Sequence, residues 1–444
     1  MGKNNQNIVK PLAICTTKLY KYPPHIVKVD KMAVLAIDFG TSNSSVATLV
    51  DGEVRRIHIE ANSETLPTSV FFDFDDNIML FGTMANQSLL NGAHGRYMRS
   101  LKSVLGTSLM AEKRMIIGKK YDFYDIISSF LTQLKHRAEQ SQGVIFDSVM
   151  SGRPVNFHSD DEAKNQRAEQ DLRECYLRAG FKTINFMFEP EAAAFACAKN
   201  TDRKSLGLIV DIGGGTSDYC LFESGNNDTG KINILASHGV RLGGTNFDKI
   251  LNLEYFMPFL GMHGQLQKIM SEGIVAAPQS IFHDLATWEK ISFCYTPELK
   301  NTVRELERQA FEPLLFKRLA NLIEHRNGHE LAFLAEKTKI SANELGEEVA
   351  KIDLGLIETG LYVGVTGDDL QRIMADACTT LKTSVLATLS QAGCQPNQVD
   401  EVIYVGGSSQ MRLVQNQMRQ LFPQAKFKLS SVFTAVVDGL ALGS

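Results

Sequence analysis

The strongest constraint on this chain is a repeated unit: an apolar run closed by an aspartate, a turn of glycine, threonine and serine, then a second alternating run. It occurs at Val34–Ala47, with Asp38-Phe39-Gly40-Thr41-Ser42-Asn43 at its centre, and again at Leu208–Leu221, with Asp211-Ile212-Gly213-Gly214-Gly215-Thr216-Ser217-Asp218. Each copy reads as a β-hairpin. Turn glycines lack a Cβ and let backbone N–H groups converge on an anion, while the hydroxyls of Thr41, Ser42, Thr216 and Ser217 add donors. A single such turn has an ordinary reading as a tight hairpin. Repetition of the whole unit points to a duplicated architecture, with the two turns facing one another. The unit is neither a P-loop nor a dinucleotide fingerprint, because no Gly-Lys-Ser/Thr follows and each turn leads into a strand, not a helix.

At 444 residues the chain exceeds one hydrophobic core and should hold two or more domains. A net charge of -4 with no basic block gives no support for nucleic acid or an anionic membrane surface. No apolar run is long enough to span a bilayer. Seven cysteines without a Cys-x-x-Cys pair suit free thiols of a reducing cytoplasm. His325 and His329 stand four apart on an expected helix, but without a third ligand they indicate no metal site. Residues 1–31 are polar, with Pro23-Pro24 and no apolar segment, and read as an extension or a mis-assigned start before Met32.

The hydrophobic patterning predicts a third strand at Val54–Glu60, an edge strand at Leu66–Phe72 and a helix over Thr83–Lys102. A helix at Tyr124–Glu139, a strand at Phe146–Ser151 and a helix at Asp161–Ala179 follow, the last capped by Ser159 and stopped by Gly180. A strand at Ile184–Phe188 runs into an Ala-rich helix over Ala192–Ala198, and Ile232–Val240 completes the second meander. Residues 252–343 read as mostly helical and include the one tryptophan, Trp288. A strand at Leu361–Val365, a helix at Asp368–Leu389, a strand at Glu401–Val405 and a helix at Gln410–Leu421 close the pattern, which predicts α/β domains with mixed sheets.

Six motifs occur in order: Asp38-Phe-Gly-Thr-Ser-Asn, Glu189-Pro-x-Ala-Ala-Ala, Asp211-Ile-Gly-Gly-Gly-Thr-Ser-Asp, Leu242-Gly-Gly-x-x-Phe-Asp248, Glu336-x-x-Lys339 and Val405-Gly-Gly-Ser-Ser409. In this set the chain resembles the ATPase domain of the DnaK-like heat-shock 70 chaperones, and within them the truncated YegD-type proteins. The resemblance implies a two-lobed, actin-like ATPase fold of duplicated ribonuclease H-like domains with helical or mixed insertions. Lobe I is expected over 32–200, lobe II over 201–430 with the insertion at 252–343, and 431–444 as a helix returning to lobe I.

The same resemblance implies ATP or ADP with Mg²⁺ in the interlobe cleft. Asp38 and Asp211 would hold the ion, mainly through water, with Gly40, Thr41, Ser42, Asn43, Gly213, Gly214, Gly215 and Thr216 around the phosphates. Lys102 matches the family's catalytic lysine, although by itself it reads as a solvated helix lysine. Glu189 matches a glutamate that senses the metal and its water shell, and equally suits a helix start. Asp211 or Asp218 would orient the attacking water. Gly243, Gly244, Thr245, Glu336, Lys339, Gly406, Gly407 and Ser408 are expected around the nucleotide, though a Glu-x-x-Lys pair is ordinarily an i,i+3 surface contact.

Ile340 and Gln410 stand where the family has arginines, Asn343 where it has serine, and Phe433-Thr434 where it has an acid. The phosphate loops are thus intact while the base clamp lacks its cations. The sequence stops at Gly443-Ser444, so the resemblance implies a weak ATPase without its own peptide-binding domain. Such a chain would be a cytoplasmic monomer working with a co-chaperone or client-binding protein in trans. A small-molecule kinase and an actin-like filament former or scaffold stand as the alternatives. No sugar motif supports the first, and the long insertion at 252–343 disfavours the second.

Overall fold

The computed structural model describes residues 33–60, 63–159, 161–197, 204–225, 232–268, 272–430 and 434–444. Two sheets organise it, and they share one topology. In the first, the antiparallel meander of Val34–Phe39, Asn43–Val50 and Glu53–Arg56 is extended by the parallel strands Ser148–Arg153 and Thr183–Phe188. The second repeats this with Ser205–Ile212, Ser217–Ser224 and Asn233–Val240, extended by the parallel strands Glu401–Val405 and Lys426–Leu429. The repeated hairpin is therefore the visible part of a repeated sheet.

Register places the two motifs alike. Asp38 lies opposite Ser45 in the first hairpin, and Asp211 lies opposite Asp218 in the second. The two cores fill the spaces between each sheet and its own helices. On one side Phe39, Phe72, Phe130 and Tyr176 are buried together; on the other Tyr219, Phe247, Phe256 and Phe316 are. A third cluster joins the halves. Ala192 and Ala194, on the helix Glu189–Cys197, meet Val437 and Leu440, on the helix Ala435–Leu442, together with Ala36 and Ile209 from the two central strands. Small residues let these helices cross closely: a Cβ on Gly439 would stand 1.7 Å from the Ala192 carbonyl oxygen.

Several sequence expectations shift. The third strand ends at Arg56; Ile57 still donates to the Val46 carbonyl, and the chain then peels away. The proline-entered strand is two strands, Thr65–Pro67 on the first sheet and Ser69–Asp73. The latter is the centre of a separate three-stranded sheet between Ile78–Phe81 and Gly95–Arg99, not an edge. The expected helix over Thr83–Lys102 is a helix only at Thr83–Leu90, because the next stretch finds a ladder partner in Ser69–Asp73. Lys102 consequently sits in a 3₁₀ turn, Leu101–Val104, entered through Ser100 at φ 59°.

The helix at Glu162–Arg178 is capped by Asp161, which accepts from the Lys164 N–H; the Ser159 hydroxyl instead accepts from the Arg241 N–H. Its chain does turn at Gly180, in the left-handed region at φ 86°. The helix expected at Asp368–Leu389 breaks at Met374 into Gly367–Ile373 and Ala375–Gln391. The final long helix starts at Arg412, after a 3₁₀ turn at Gly407–Gln410. Residues 252–343 are mostly helical as expected, with a small ribbon of Gln265–Gln267 and Ile274–Ala276. Among the described residues no helix is long and apolar enough to cross a membrane.

Candidate functional site

The tips of the two hairpins meet. A Cβ on Gly214 would lie 2.4 Å from Ser42 Oγ and 3.2 Å from Thr41 Cβ, so the glycine lets the two tips approach closely. Around this meeting point lies a cleft of about 430 Å³ between the lobes. It is walled by Asp38, Gly40, Thr41, Ser42 and Asn43 from the first hairpin and by Asp211, Gly213, Gly214, Gly215 and Thr216 from the second. Lys102, Glu189, Gly244, Thr245, Glu336, Lys339, Gly406, Gly407 and Ser408 also line it. Of the residues expected at the site, Ser217, Gly243 and Asp218 are not on this wall; the buried Ser217 hydroxyl donates to the Leu242 carbonyl at 2.6 Å. Gly243 packs behind the second tip, where a Cβ would stand 2.7 Å from Gly214 backbone. Asp218 is buried one strand back and accepts from the Val155 N–H at 2.8 Å.

Position on the wall does not leave every group free. The N–H groups of Gly244 and Thr245 donate to the carbonyls of Gly213 and Gly214, and the Thr245 hydroxyl donates to Gly214 as well. These residues brace the second tip from behind. Gly406, at φ 75°, passes so close that a Cβ would sit 2.4 Å from the Ile212 carbonyl oxygen. The turn Gly406–Gln410 is thereby held against the end of the strand that carries Asp211.

At the floor, Lys102 Nζ is ion-paired with Glu189 Oε1, both side chains buried. Glu189 is the first residue of its helix, so the helix-start reading and the site reading hold together. Burial works against the Lys102 charge, but Glu189 and Asp38 outweigh it and hold the ammonium above its usual range. The remaining carboxyls lack such compensation. Burial, then the Glu189 charge, pushes Asp38 up to about 7, with Lys102 opposing. The same two causes push Asp218 up to about 7, against donors from Thr216 and Val155. Asp211 is raised well above the carboxylate range by burial and by Glu189, Asp218 and Asp38. Three buried acids, Glu189, Asp211 and Asp218, and the partly exposed Asp38 therefore converge on one buried lysine.

The outer end of the cleft differs from the sequence expectation. Glu336 and Lys339, three apart on the helix Gly328–Leu345, do not pair with each other. Glu336 takes a two-pronged contact from Arg99 of the first half, and Lys339 takes Asp248 at 2.6 Å and the Gly244 carbonyl at 3.2 Å. Arg99 also lies 4.5 Å from the Trp288 ring centroid. Burial opposes ionisation of Glu336, yet the Arg99 charge holds its carboxyl below the usual range. Arg99 carried no local sequence signal, because its partners are set by the pairing of its strand. Asp248, quoted in a motif, could have been read as a site residue. Ile340 is half exposed on the cleft wall, with Gln410 and buried Met411 also on it. Asn343, also on the wall, accepts from the Arg412 N–H at 2.7 Å through its amide oxygen. Phe433 lies outside the described residues.

Two topologically matched lobes closing on paired glycine hairpins define the class of actin-like, two-lobed ATPase folds. The family model described as "Hsp70 protein" matches residues 106–269 and 322–442, and the chain belongs to the Hsp70 family. It is 25% identical over 419 residues to the "Chaperone protein DnaK" of Thermosipho melanesiensis, covering 93% of this chain and 59% of that protein. The Thermotoga maritima protein of the same description gives 25% over 420 residues, again 93% and 59%. A "Chaperone protein HscA homolog" of Pseudoalteromonas atlantica is 27% identical over 307 residues, 64% of this chain and 47% of that protein. The chain thus spans well under two thirds of the length of these relatives.

Proposed function

We propose that this chain binds ATP and ADP between its two hairpins and hydrolyses ATP slowly, as a DnaK-like chaperone-family ATPase. The observation that carries the reading is the convergence of both tips, Ser42 against Gly214, over the buried Lys102–Glu189 pair. Thr41, Ser42 and Thr216 present hydroxyls at the cleft wall, and the turn backbones present N–H groups, the donor set a polyphosphate takes. The Lys102 ammonium, held charged, is suited to neutralise charge that develops on a transferring phosphoryl group. Asp211, on the cleft wall, can orient an attacking water, with Asp218 buried one strand behind it adding to the negative charge that raises its proton affinity.

The donor chemistry also fits Mg²⁺. Four acids, three of them buried, against one lysine leave an excess of negative charge that a divalent cation would relieve. Among the described residues no three acid, histidine or cysteine side chains form a direct ligand cluster. Asp38 and Asp211 would accordingly hold the ion through water, where it supplies charge neutralisation to the phosphates.

The Gly407–Gln410 turn and Ile340 are placed to cover the sugar and base. The relatives are described as chaperones, and we assign to this chain a co-chaperone or client-binding partner that responds to lobe opening. The six described cysteines are free thiols, which supports a cytoplasmic setting. The test is ATP turnover and nucleotide titration by purified protein with and without Mg²⁺, with polyols added as alternative acceptors. Mg-dependent binding with release of phosphate supports the reading. Phosphoryl transfer to a polyol, or no binding, overturns it.

A further inference from the structure

We propose that the seam between the outer arms of the two lobes holds a second binding site, for a compact phosphate-type oxyanion gripped by Arg96, Arg114 and Arg326. A pocket of about 520 Å³ lies there, and it shares no lining residue with the hairpin cleft. The first half contributes Arg96, on the strand Gly95–Arg99, and Arg114; the second contributes Arg326 in the turn before the helix Gly328–Leu345. The arms already touch beside the pocket, where the Ser292 hydroxyl donates to the Tyr97 carbonyl at 2.6 Å.

The cationic groups outnumber the acids able to satisfy them. Among the described residues neither Arg96 nor Arg326 has an ion-pair partner. Arg114 keeps one nitrogen on Glu112 and lies 3.9 Å from the Phe293 ring centroid, while its buried Nε has no hydrogen-bond partner. Of the two acids on the wall, Glu324 is taken up by Lys300 at 3.2 Å and Arg304 at 3.9 Å. The other, Glu330, has its carboxyl raised by burial, with Oε2 unpartnered. Burial, then the charges of Arg114 and Arg326, pulls Arg96 below the usual guanidinium range, so the other two cations add to the cost of burying it.

Two further features suit an oxyanion. His329 is 2% exposed on the pocket wall, and its Nε2 has no partner. Burial pushes that ring down to about 3, so it stays neutral and can offer an N–H through Nε2. The turn that presents Arg326 is braced by Tyr295, whose hydroxyl donates to the Arg326 carbonyl at 3.0 Å and accepts from the Gly328 N–H at 3.1 Å. Less ordering is then needed on binding. Planar guanidinium forks match a phosphate edge with two parallel hydrogen bonds, which a lysine cannot reproduce.

The test is calorimetric titration of the full chain with pyrophosphate, since the hairpin cleft is itself expected to take phosphate. Wild type is compared with Thr216→Ala, which alters that cleft, with Arg96→Gln and Arg326→Gln, and with Arg419→Gln as a distant control. We expect binding that survives Thr216→Ala and Arg419→Gln, falls at least tenfold in Arg326→Gln, and is only partly kept in Arg326→Lys. Arg326 is exposed, so a folded variant, checked by circular dichroism, is available whether or not Arg96→Gln folds. Absence of binding to wild type overturns the proposal. So does binding unchanged in Arg326→Gln, whatever the Thr216→Ala arm shows, or an equal loss in Arg419→Gln.

Discussion

Arg99 and Glu336 are joined across the mouth of the interlobe cleft by two hydrogen bonds, of 2.7 and 3.1 Å, although 237 positions separate them in the chain. The guanidinium is also covered by Trp288 and Phe333. One side chain thus ties the small sheet of the first half to the helical insertion of the second.

Arg99→Ala should destabilise the chain by about 3 kcal/mol, since truncating one partner leaves a largely buried carboxylate uncompensated. Chemical denaturation of the single variants and of the Arg99→Ala/Glu336→Ala double variant measures this. Losses that simply add in the double variant would show that the pair is not coupled.

Asp38 and Asp218, both held near 7, set a pH dependence for the nucleotide-free chain. Between their unfolded values near 4 and about 7 the folded state binds more protons than the unfolded one, so stability falls as pH rises through this window. Above 7 these two carboxyls add no further change. The chain should therefore melt higher at pH 5.5 than at pH 7.5, and Asp38→Asn should raise the melting temperature at pH 7.5. A melting curve that climbs from pH 5.5 to 7.5 would contradict the arrangement.

Asp211→Asn and Thr216→Ala should each cut ATP turnover on the order of 100-fold, a loss of about 2.7 kcal/mol of transition-state stabilisation, while leaving the fold intact. Steady-state phosphate release beside far-ultraviolet circular dichroism reads both. Wild-type turnover in either variant would move the chemistry elsewhere.

Base selectivity should be low, because Ile340 and Gln410 line the cleft and would meet a base without supplying a cation. Missing cation–π contact is worth about 0.5 to 2 kcal/mol, and GTP should compete with ATP within about tenfold, or 1.4 kcal/mol. Ile340→Arg should tighten ATP. Tight, Mg-independent and adenine-specific binding by the wild type would refute this account.

What was legible in the sequence was what short stretches of chain dictate by themselves. Both hairpins, the helix after Phe123, the turn at Gly180 and the strand before Gly406 depend on side-chain alternation, amphipathic spacing and glycines whose neighbours lie within a few residues. The ordered motifs then specified the family and most of the cleft wall. Tertiary structure decided the rest. The stretch before Lys102 has helical spacing but becomes the strand Gly95–Arg99, because Ser69–Asp73 offers it a complete hydrogen-bond ladder that its own turn could not match. Glu336 and Lys339, whose spacing suggests an i,i+3 pair, are instead paired with Arg99 and Asp248 while still lining the cleft. Burial strips those charges of water, and in a dry seam each must take whichever opposite charge the folded topology sets beside it, however remote in the chain.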